Sequence, residues 1–510
     1  MSEQGDTSCI ITVAPLMCSI SPSGAARFLR SALITKREYF RTVFENGYKR
    51  KKRFTYPVHY VLKGRFPTGL LEIVTSLLKS KGFSIQIIDR RSTIKSSLQS
   101  SFGGITLRDF QLEAVKAAVS THGGYIQSPT GSGKTVIAAG IINALPSSNV
   151  LFIVPTKSLL TQTASSFEKI FGRPIGMIGA GGSTFQQITV GIINSIYNCY
   201  ELGGLPRFDT IIVDECHRIS KLDGRYAKFL LNYPSLRRYG ISATPHKKNL
   251  ESEEYMVMSA CLGRELFSAD NKQLIEDHFI AKPTIKIIRA PFYQKANEQR
   301  AWPDVYEYGV VANPNAIRAI ADSAISYVQS GKSILIMCQR IRHLLNIEHT
   351  LLRLKPDLRT AVALGGPNKE ITTELDGLAR WLRSAKATGN GDLSRRLTVA
   401  IEKLTATRQR LVTASKSTER IRQELDRKEL DIVIATTVWK EGTDIPSLDV
   451  VINAAGYKSD ILVQQIMGRG MRATNEKDSF ILVDIFDPSH HYLIKHFGER
   501  ICLYFDKKWM

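Results

Sequence analysis

The chain has 510 residues; a single hydrophobic core stops growing at roughly 250–300, so about two to four domains are expected. Hydrophobic residues at 43% and charged residues at 23% are those of an ordinary soluble globular protein. Sixty-nine Lys and Arg against 47 Asp and Glu leave a formal charge of +22, an excess that draws polyanions, nucleic acid first among them, and releases their counterions on binding.

Residues 1–95 read as a small α+β accessory unit that binds nucleic acid. Strands are expected at Ile10–Ala14 and Phe83–Ile88, and helices at Gly24–Ile34 and Leu70–Lys79, the second closed by Gly82. Two more strands, Tyr39–Phe44 and Tyr56–Leu62, flank a basic turn of Lys49, Arg50, Lys51, Lys52 and Arg53, with Tyr48, Phe54 and Tyr56 beside it. A basic tip edged by aromatics suits phosphate contact plus base or sugar packing; a solvated loop is the alternative. The polar run Ser92–Ser101 followed by Gly103-Gly104 reads as a linker.

Residues 96–285 then alternate short apolar runs with helical patterns. Strands are expected at Asn149–Val154, Ile188–Ile192, Thr210–Val213 and Tyr239–Ile241, and helices at Asp109–Ser120, Lys134–Ala144 and Lys157–Ile170. That alternation implies parallel strands with helical crossovers, whose carboxyl edges are where ligands bind. A second series fills 286–490, joined across Pro283–Val311: a helix from Asn315 to Gln329, then strands at Ser333–Met337, Thr360–Ala363, Ile432–Ala435, Asp449–Asn453 and Phe480–Val483. The fold class is α/β, two tandem parallel-sheet lobes. Residues 370–425 break the rhythm as two helices separated by Thr388–Asp392, lined by Leu375, Leu378 and Leu382 and by Leu393, Leu397, Ile401, Leu404 and Leu411. They suit an antiparallel helical hairpin inserted in the second lobe. Residues 491–510 are left as a tail.

Seven scattered cysteines without a C-x-x-C pair suggest neither a zinc site nor a disulfide framework and fit a reducing compartment. Ile10–Met17 is apolar but too short to span a bilayer, and no basic region precedes it. The expectation is a cytoplasmic monomer without a membrane partner.

The strongest chemical signal is Ser128-Pro129-Thr130-Gly131-Ser132-Gly133-Lys134-Thr135, between an apolar run and a helix. Small residues let backbone N–H groups close around phosphate oxygens at a helix amino terminus. Lys134 is placed to reach the β- and γ-phosphates and the Thr135 hydroxyl to hold Mg²⁺. Ile211–Val213 then runs into Asp214-Glu215-Cys216-His217. Acids at the end of such a strand stand near the phosphate loop, Asp214 for the Mg²⁺ shell and Glu215 for the attacking water; alone, they could cap the next helix. His217 couples the nucleotide site to the second lobe or is a structural histidine.

With that Asp-Glu-Cys-His box the sequence resembles the superfamily-2 helicases, and the remaining motifs follow in the family's order. Arg108 and Gln111, in Leu107-Arg108-Asp109-Phe110-Gln111, resemble the adenine-reading segment. Val154-Pro155-Thr156-Lys157 resembles the strand-contacting motif, and Ser242-Ala243-Thr244 the coupling motif. Ala435-Thr436-Thr437 through Glu441-Gly442-Thr443-Asp444-Ile445-Pro446, with Trp439 between them, resembles the fifth motif. Gln465-Ile466-Met467-Gly468-Arg469-Gly470-Met471-Arg472 resembles the sixth, which supplies arginines to the nucleotide. Within the superfamily the pattern is similar to XPB-like and phage UvsW-type helicases, with the 370–425 insertion as a departure.

The resemblance implies two RecA-like lobes, ATP and Mg²⁺ as cofactors, and a motor that remodels forked or branched DNA. It further implies catalytic roles for Lys134, Asp214, Glu215, Gln465, Arg469 and Arg472, nucleotide contacts from Gly442 and Asp444, and strand contacts from Thr156, Lys157, Thr436 and Trp439. If phage-encoded, the protein would work in the host cytoplasm. The alternatives are a duplex translocase or RNA helicase on the same lobes, and a binding scaffold with a decayed ATPase.

Overall fold

The computed structural model describes residues 8–45, 48–93, 95–277, 279, 281–364, 369–387, 391–416, 418–436, 448–456, 479–506 and 509–510. The chain divides into two compact units, one formed by 1–129 and 133–269, the other mainly by 270–510.

Five-residue apolar runs such as Val150–Val154 and Ile188–Ile192 are buried at every position. Strands covered on both faces read as unbroken apolar stretches, and here they build one eight-stranded sheet. Its order is Gly182–Thr184, Gly176–Gly179, Ile188–Ile192, Val150–Val154, Thr210–Asp214, Arg237–Ser242, Gly123–Gln127 and Glu265–Ser268. All neighbours are parallel except the first pair. Asp214 pairs with Ile241 and Ser242 with Gln127, so three adjacent strands end together. The helices Asp109–Val119, Lys134–Ala144 and Lys157–Phe171 pack on this sheet.

The amino-terminal segment forms a four-stranded sheet in the order Arg65–Pro67, Met17–Ser21, Ser8–Val13, Ser84–Asp89, with helices Ser23–Ala32 and Leu71–Ser80. Its core is continuous with that of the large sheet: Ile11, Leu29, Phe66 and Leu70 belong to one cluster with Phe229, Met256 and Leu262. At Gly69 a Cβ would lie 2.2 Å from the Ser259 carbonyl oxygen, so the backbones meet directly on helix Glu253–Leu262.

Two local expectations are corrected. The basic run Lys49–Arg53 is not a turn but part of strand Tyr48–His59, paired along its length with Ile34–Glu45; residues 46–47 lie outside the described residues. Ribbon residues Glu38–Thr42 and Lys52–Pro57 are exposed, so charged side chains stay hydrated in a strand there. The run read as a linker carries no helix or strand in its described residues before Ser101, and only its end closes into a small hairpin, Ser101–Phe102 with Ile105–Thr106. Gly103, at φ +54, lies so near the Ile170 carbonyl that a Cβ would clash at 2.0 Å, and Phe102 stacks on Phe171.

The second unit is a six-stranded, wholly parallel sheet in the order Lys282–Arg289, Ser479–Phe486, Val450–Asn453, Ile334–Met337, Ile432–Ala435, Thr360–Ala363. The joining segment read at Pro283–Val311 therefore begins as an edge strand, paired with Ser479–Phe486 far along the chain. The helical hairpin is present as Lys369–Ala387 packed on Gly391–Lys416, with a third helix, Thr418–Asp426, that the two-helix reading missed. Leu397 is buried and Leu404 packs on the core, whereas Leu393, near the start of its helix, is exposed. The presumed tail is instead helix His491–Asp506, docked on the sheet through Arg500 and Tyr504, both bound to the buried Asp484. Among the described residues no helix is long and apolar enough to cross a membrane.

Candidate active site

The phosphate loop leaves strand Gly123–Gln127 at Ser128, which is buried and donates its N–H to the Ser242 carbonyl at 3.0 Å. Gly131 and Gly133 stand at φ +87 and +86, a left-handed backbone that L side chains rarely adopt. Gly133 caps helix Lys134–Ala144, so the loop is aimed at that helix's amino terminus, where N–H groups and the helix dipole favour an anion. A Cβ on Gly133 would stand 2.6 Å from Gln111 Nε2. Gln111 is itself buried, its Oε1 accepting from the Arg108 N–H at 3.0 Å, so the segment read as adenine-reading packs against the phosphate loop.

Strand Thr210–Asp214 presents the two acids. Glu215 adopts φ +52, ψ +51, unusual for a non-glycine residue and held only where surroundings over-determine it. They do so here. Lys134 Nζ donates to Glu215 Oε1 at 2.7 Å, while Glu215 Oε2 faces His217 Nδ1 at 3.3 Å and accepts from Ser242 Oγ at 3.4 Å. His217 Nδ1 and Ser242 Oγ are 2.9 Å apart, and Ser242 Oγ accepts the Thr244 N–H at 3.1 Å. Thr244 Oγ1 lies 3.5 Å from the same histidine nitrogen. Burial works to raise the Glu215 pKa, but Lys134 and His217 outweigh it and hold the carboxyl below the usual range. Asp214 moves the opposite way, pushed up by burial and then by the neighbouring Glu215 charge.

Lys134, Asp214, Glu215, His217, Ser242 and Thr244 thus share one sheet edge with Ser128–Gly133 and Gln111, and Thr135 is exposed in the first turn of the loop helix. Thr156 lies at the end of a neighbouring strand, its Oγ1 accepting the Leu159 N–H at 3.3 Å as an N-cap, with Lys157 exposed beside it. Thr436 is buried after strand Ile432–Ala435 of the second unit. Trp439, Gly442, Asp444, Gln465, Arg469 and Arg472 lie outside the described residues, as do the side chains of Lys49, Arg50 and Lys51. Sequence reasoning missed Arg37 and Glu253, whose pairing spans 216 positions and leaves no spacing signal.

Two families match the chain: "Type III restriction enzyme, res subunit" over residues 104–247, which spans the phosphate loop and both acids, and "Helicase conserved C-terminal domain" over 395–474. These two domains, in this order, are those of a superfamily-2 helicase, and the chain is similar to the XPB-like type. Among its relatives is the DNA 3'-5' translocase XPB2 of Sulfurisphaera tokodaii, 26% identical over 384 residues that cover 73% of this helicase and 80% of that protein. A fragment described as an HsdR subunit of a type I restriction enzyme from Vibrio vulnificus YJ016 is 19% identical, covers 85% of the helicase and 71% of its own chain, and superposes with a TM-score of 0.52, a likeness of fold alone. The solved T4 UvsW aligns over 98% of the helicase and 97% of its own chain at 16% identity, with a TM-score of 0.39. Membership in the superfamily makes the helicase an ATP-dependent enzyme.

Proposed function

We propose that the helicase hydrolyses ATP at the Lys134–Glu215 edge and uses the energy to translocate on DNA and remodel forked or branched structures. The observation that carries this reading is the Lys134–Glu215 pair itself, held between a phosphate-binding loop and a His217–Ser242 brace. Phosphate oxygens compete with Glu215 for Lys134, and their arrival frees the carboxylate to orient and activate the attacking water. The left-handed backbone of Glu215 and its contacts with His217 and Ser242 fix where that carboxylate points.

The residues fit Mg²⁺. Thr135 and Asp214 offer hard oxygen donors, and among the described residues no group of three or more acids, histidines or cysteines forms a self-sufficient metal cage. A site of one hydroxyl and one carboxylate suits an ion that takes its remaining ligands from phosphates and water. Bound there, it would neutralise charge on the β- and γ-phosphates. Arg469 and Arg472, with Gln465, are assigned to the γ-phosphate, and Gly442 and Asp444 to the nucleotide; an arginine so placed is worth about 10³–10⁵ in rate.

DNA as the track is supported by the relative named a DNA 3'-5' translocase and by the +22 charge. Thr156, Lys157, Thr436 and Trp439 are assigned to the tracked strand, and Lys49–Arg53 with Phe54 and Tyr56 to a second contact. Along one face of the ribbon Tyr39 stacks on Phe54 at 5.5 Å, and the cross-strand pair Arg41 and Lys52 lies two residues further along on the same face, cations next to π surfaces as polynucleotides require.

ATP-dependent strand displacement on forked, four-way and plain duplex DNA, with an RNA duplex as control, tests the reading. Branched DNA should be remodelled fastest, with Lys134→Ala inactive throughout. Activity on RNA alone would move the helicase to the RNA-unwinding alternative, and remodelling by Lys134→Ala would remove the assigned site.

A further inference from the structure

The ribbon leaves the body of the first unit at Thr35 and Val58, both buried, and beyond them Glu38–Thr42 and Lys52–Pro57 are exposed. An isolated two-stranded hairpin is marginal in water, so its direction is set at its root. One guanidinium dominates that root. Arg37 Nε donates to both carboxylate oxygens of Glu253, at 2.9 and 2.8 Å, and Nη2 pairs with the same group. Nη1 reaches Asp223 at 2.9 Å and the Tyr56 hydroxyl at 2.7 Å across the ribbon. Glu253, nearly buried in the first turn of helix Glu253–Leu262, also accepts the Leu222 N–H at 3.4 Å.

Leu222 and Asp223 belong to the loop that starts at the catalytic acids. From Glu215 the chain makes the 3-10 turn Cys216–Arg218, buries Ile219 completely, and reaches Leu222 and Asp223 before helix Arg225–Leu230. Arg37 therefore ties three things together: the root of the nucleic-acid ribbon, the helix on which the amino-terminal sheet sits, and the far end of the loop carrying Glu215 and His217.

We propose that Arg37 is a positioning residue that couples engagement of nucleic acid on the ribbon to the setting of Glu215, so that ATP hydrolysis answers to the strand held outside. The proposal rests on the ribbon's assignment as a nucleic-acid contact. A planar, bidentate guanidinium fixes direction as well as distance, which a lysine ammonium does not. Force on the ribbon tilts the fork, and the fork moves Asp223 and Leu222. Glu215 sits in a backbone conformation that only its surroundings maintain, so a small shift of its loop re-aims the carboxylate, and misplacement of a catalytic group is costly in rate.

The test compares wild type, Arg37→Ala, Arg37→Lys and the double variant Lys52→Ala/Arg53→Ala in steady-state ATP hydrolysis with and without a forked DNA oligonucleotide. DNA affinity is read by fluorescence anisotropy and folding by thermal melting. Arg37→Ala should lose about tenfold of the DNA-stimulated rate measured at saturating DNA, while basal hydrolysis is unchanged. Arg37→Lys should recover part of the loss. The double variant should bind DNA more weakly yet reach the full stimulated rate at saturation. Full stimulation in Arg37→Ala, or basal and stimulated rates falling in proportion, overturns the coupling. If Arg37→Ala fails to fold, Arg37→Lys, which keeps the charge and loses the fork, decides the matter by the same criteria. A wild type that no nucleic acid stimulates refutes the functional reading itself, and the coupling with it; a stimulated wild type matched by Arg37→Ala sinks the coupling alone.

Discussion

Each compact unit places an ion pair at its parallel sheet, and the two pairs do opposite work. In the second unit Asp484 and Arg500 are 0% and 3% exposed, joined at 2.8 Å with Tyr504 on the same carboxylate. Every charge there is spoken for, and the pair pins the carboxy-terminal helix to its strand. In the first unit Lys134 and Glu215 meet at 2.7 Å but keep side-chain exposures of 15% and 18%, at the carboxyl end of a strand. A buried, saturated pair holds structure. A pair left at an open edge can exchange partners, and that is what phosphate chemistry needs.

Substitutions can break this contrast. The largest effect is expected for Lys134→Ala: ATP turnover should fall by about 10³-fold or more, because a cation facing transferring phosphoryl oxygens is lost, while the melting temperature stays near wild type. Turnover near the wild-type rate in a coupled ATPase assay would put Lys134 in the structural class with Arg500. Asp484→Ala should do the reverse. Removing one partner from a buried pair costs about 3–5 kcal/mol in stability, visible in urea denaturation, with activity lost only as the protein unfolds. A wild-type unfolding midpoint would show that the pair is not what docks the helix.

Gly133→Ala sharpens the comparison at the backbone. Its φ of +86 and the 2.6 Å approach to Gln111 Nε2 should cost about 1–3 kcal/mol of local strain and weaken nucleotide binding, measured by fluorescent ATP analogue titration. Unchanged affinity would mean that the loop relaxes freely. Smallest is Arg318→Ala, which removes a half-exposed i,i+4 pair with Asp322 and should change stability by about 0.3–0.5 kcal/mol and activity not at all. A large loss would show that exposed pairs matter here more than their solvent screening allows.

The sequence made the parallel architecture and the strand–loop–helix setting of Ser128–Thr135 legible because both are local. Val150–Val154, Ile188–Ile192 and Thr210–Asp214 announce themselves as unbroken apolar runs, and Ser128–Thr135 lies in one stretch between a strand and a helix. What sequence could not show depends on partners distant in the chain. Lys282–Arg289 is a strand because it pairs with Ser479–Phe486 nearly two hundred residues on, and its alternating polar residues suit an edge. The basic run Lys49–Arg53 resembles a turn by composition, yet it is a strand because Phe40, Arg41 and Thr42 lie opposite it in register. The Arg37–Glu253 contact had no local signal at all.

The measurement that bears most directly on the account is single-turnover ATP hydrolysis by Glu215→Gln in the presence of forked DNA, with nucleotide binding followed in the same samples. The account predicts that the variant binds ATP, since Lys134 and the loop are intact, and fails to cleave it. Cleavage at the wild-type rate would mean that the carboxylate facing Lys134, His217 and Ser242 does not handle the attacking water.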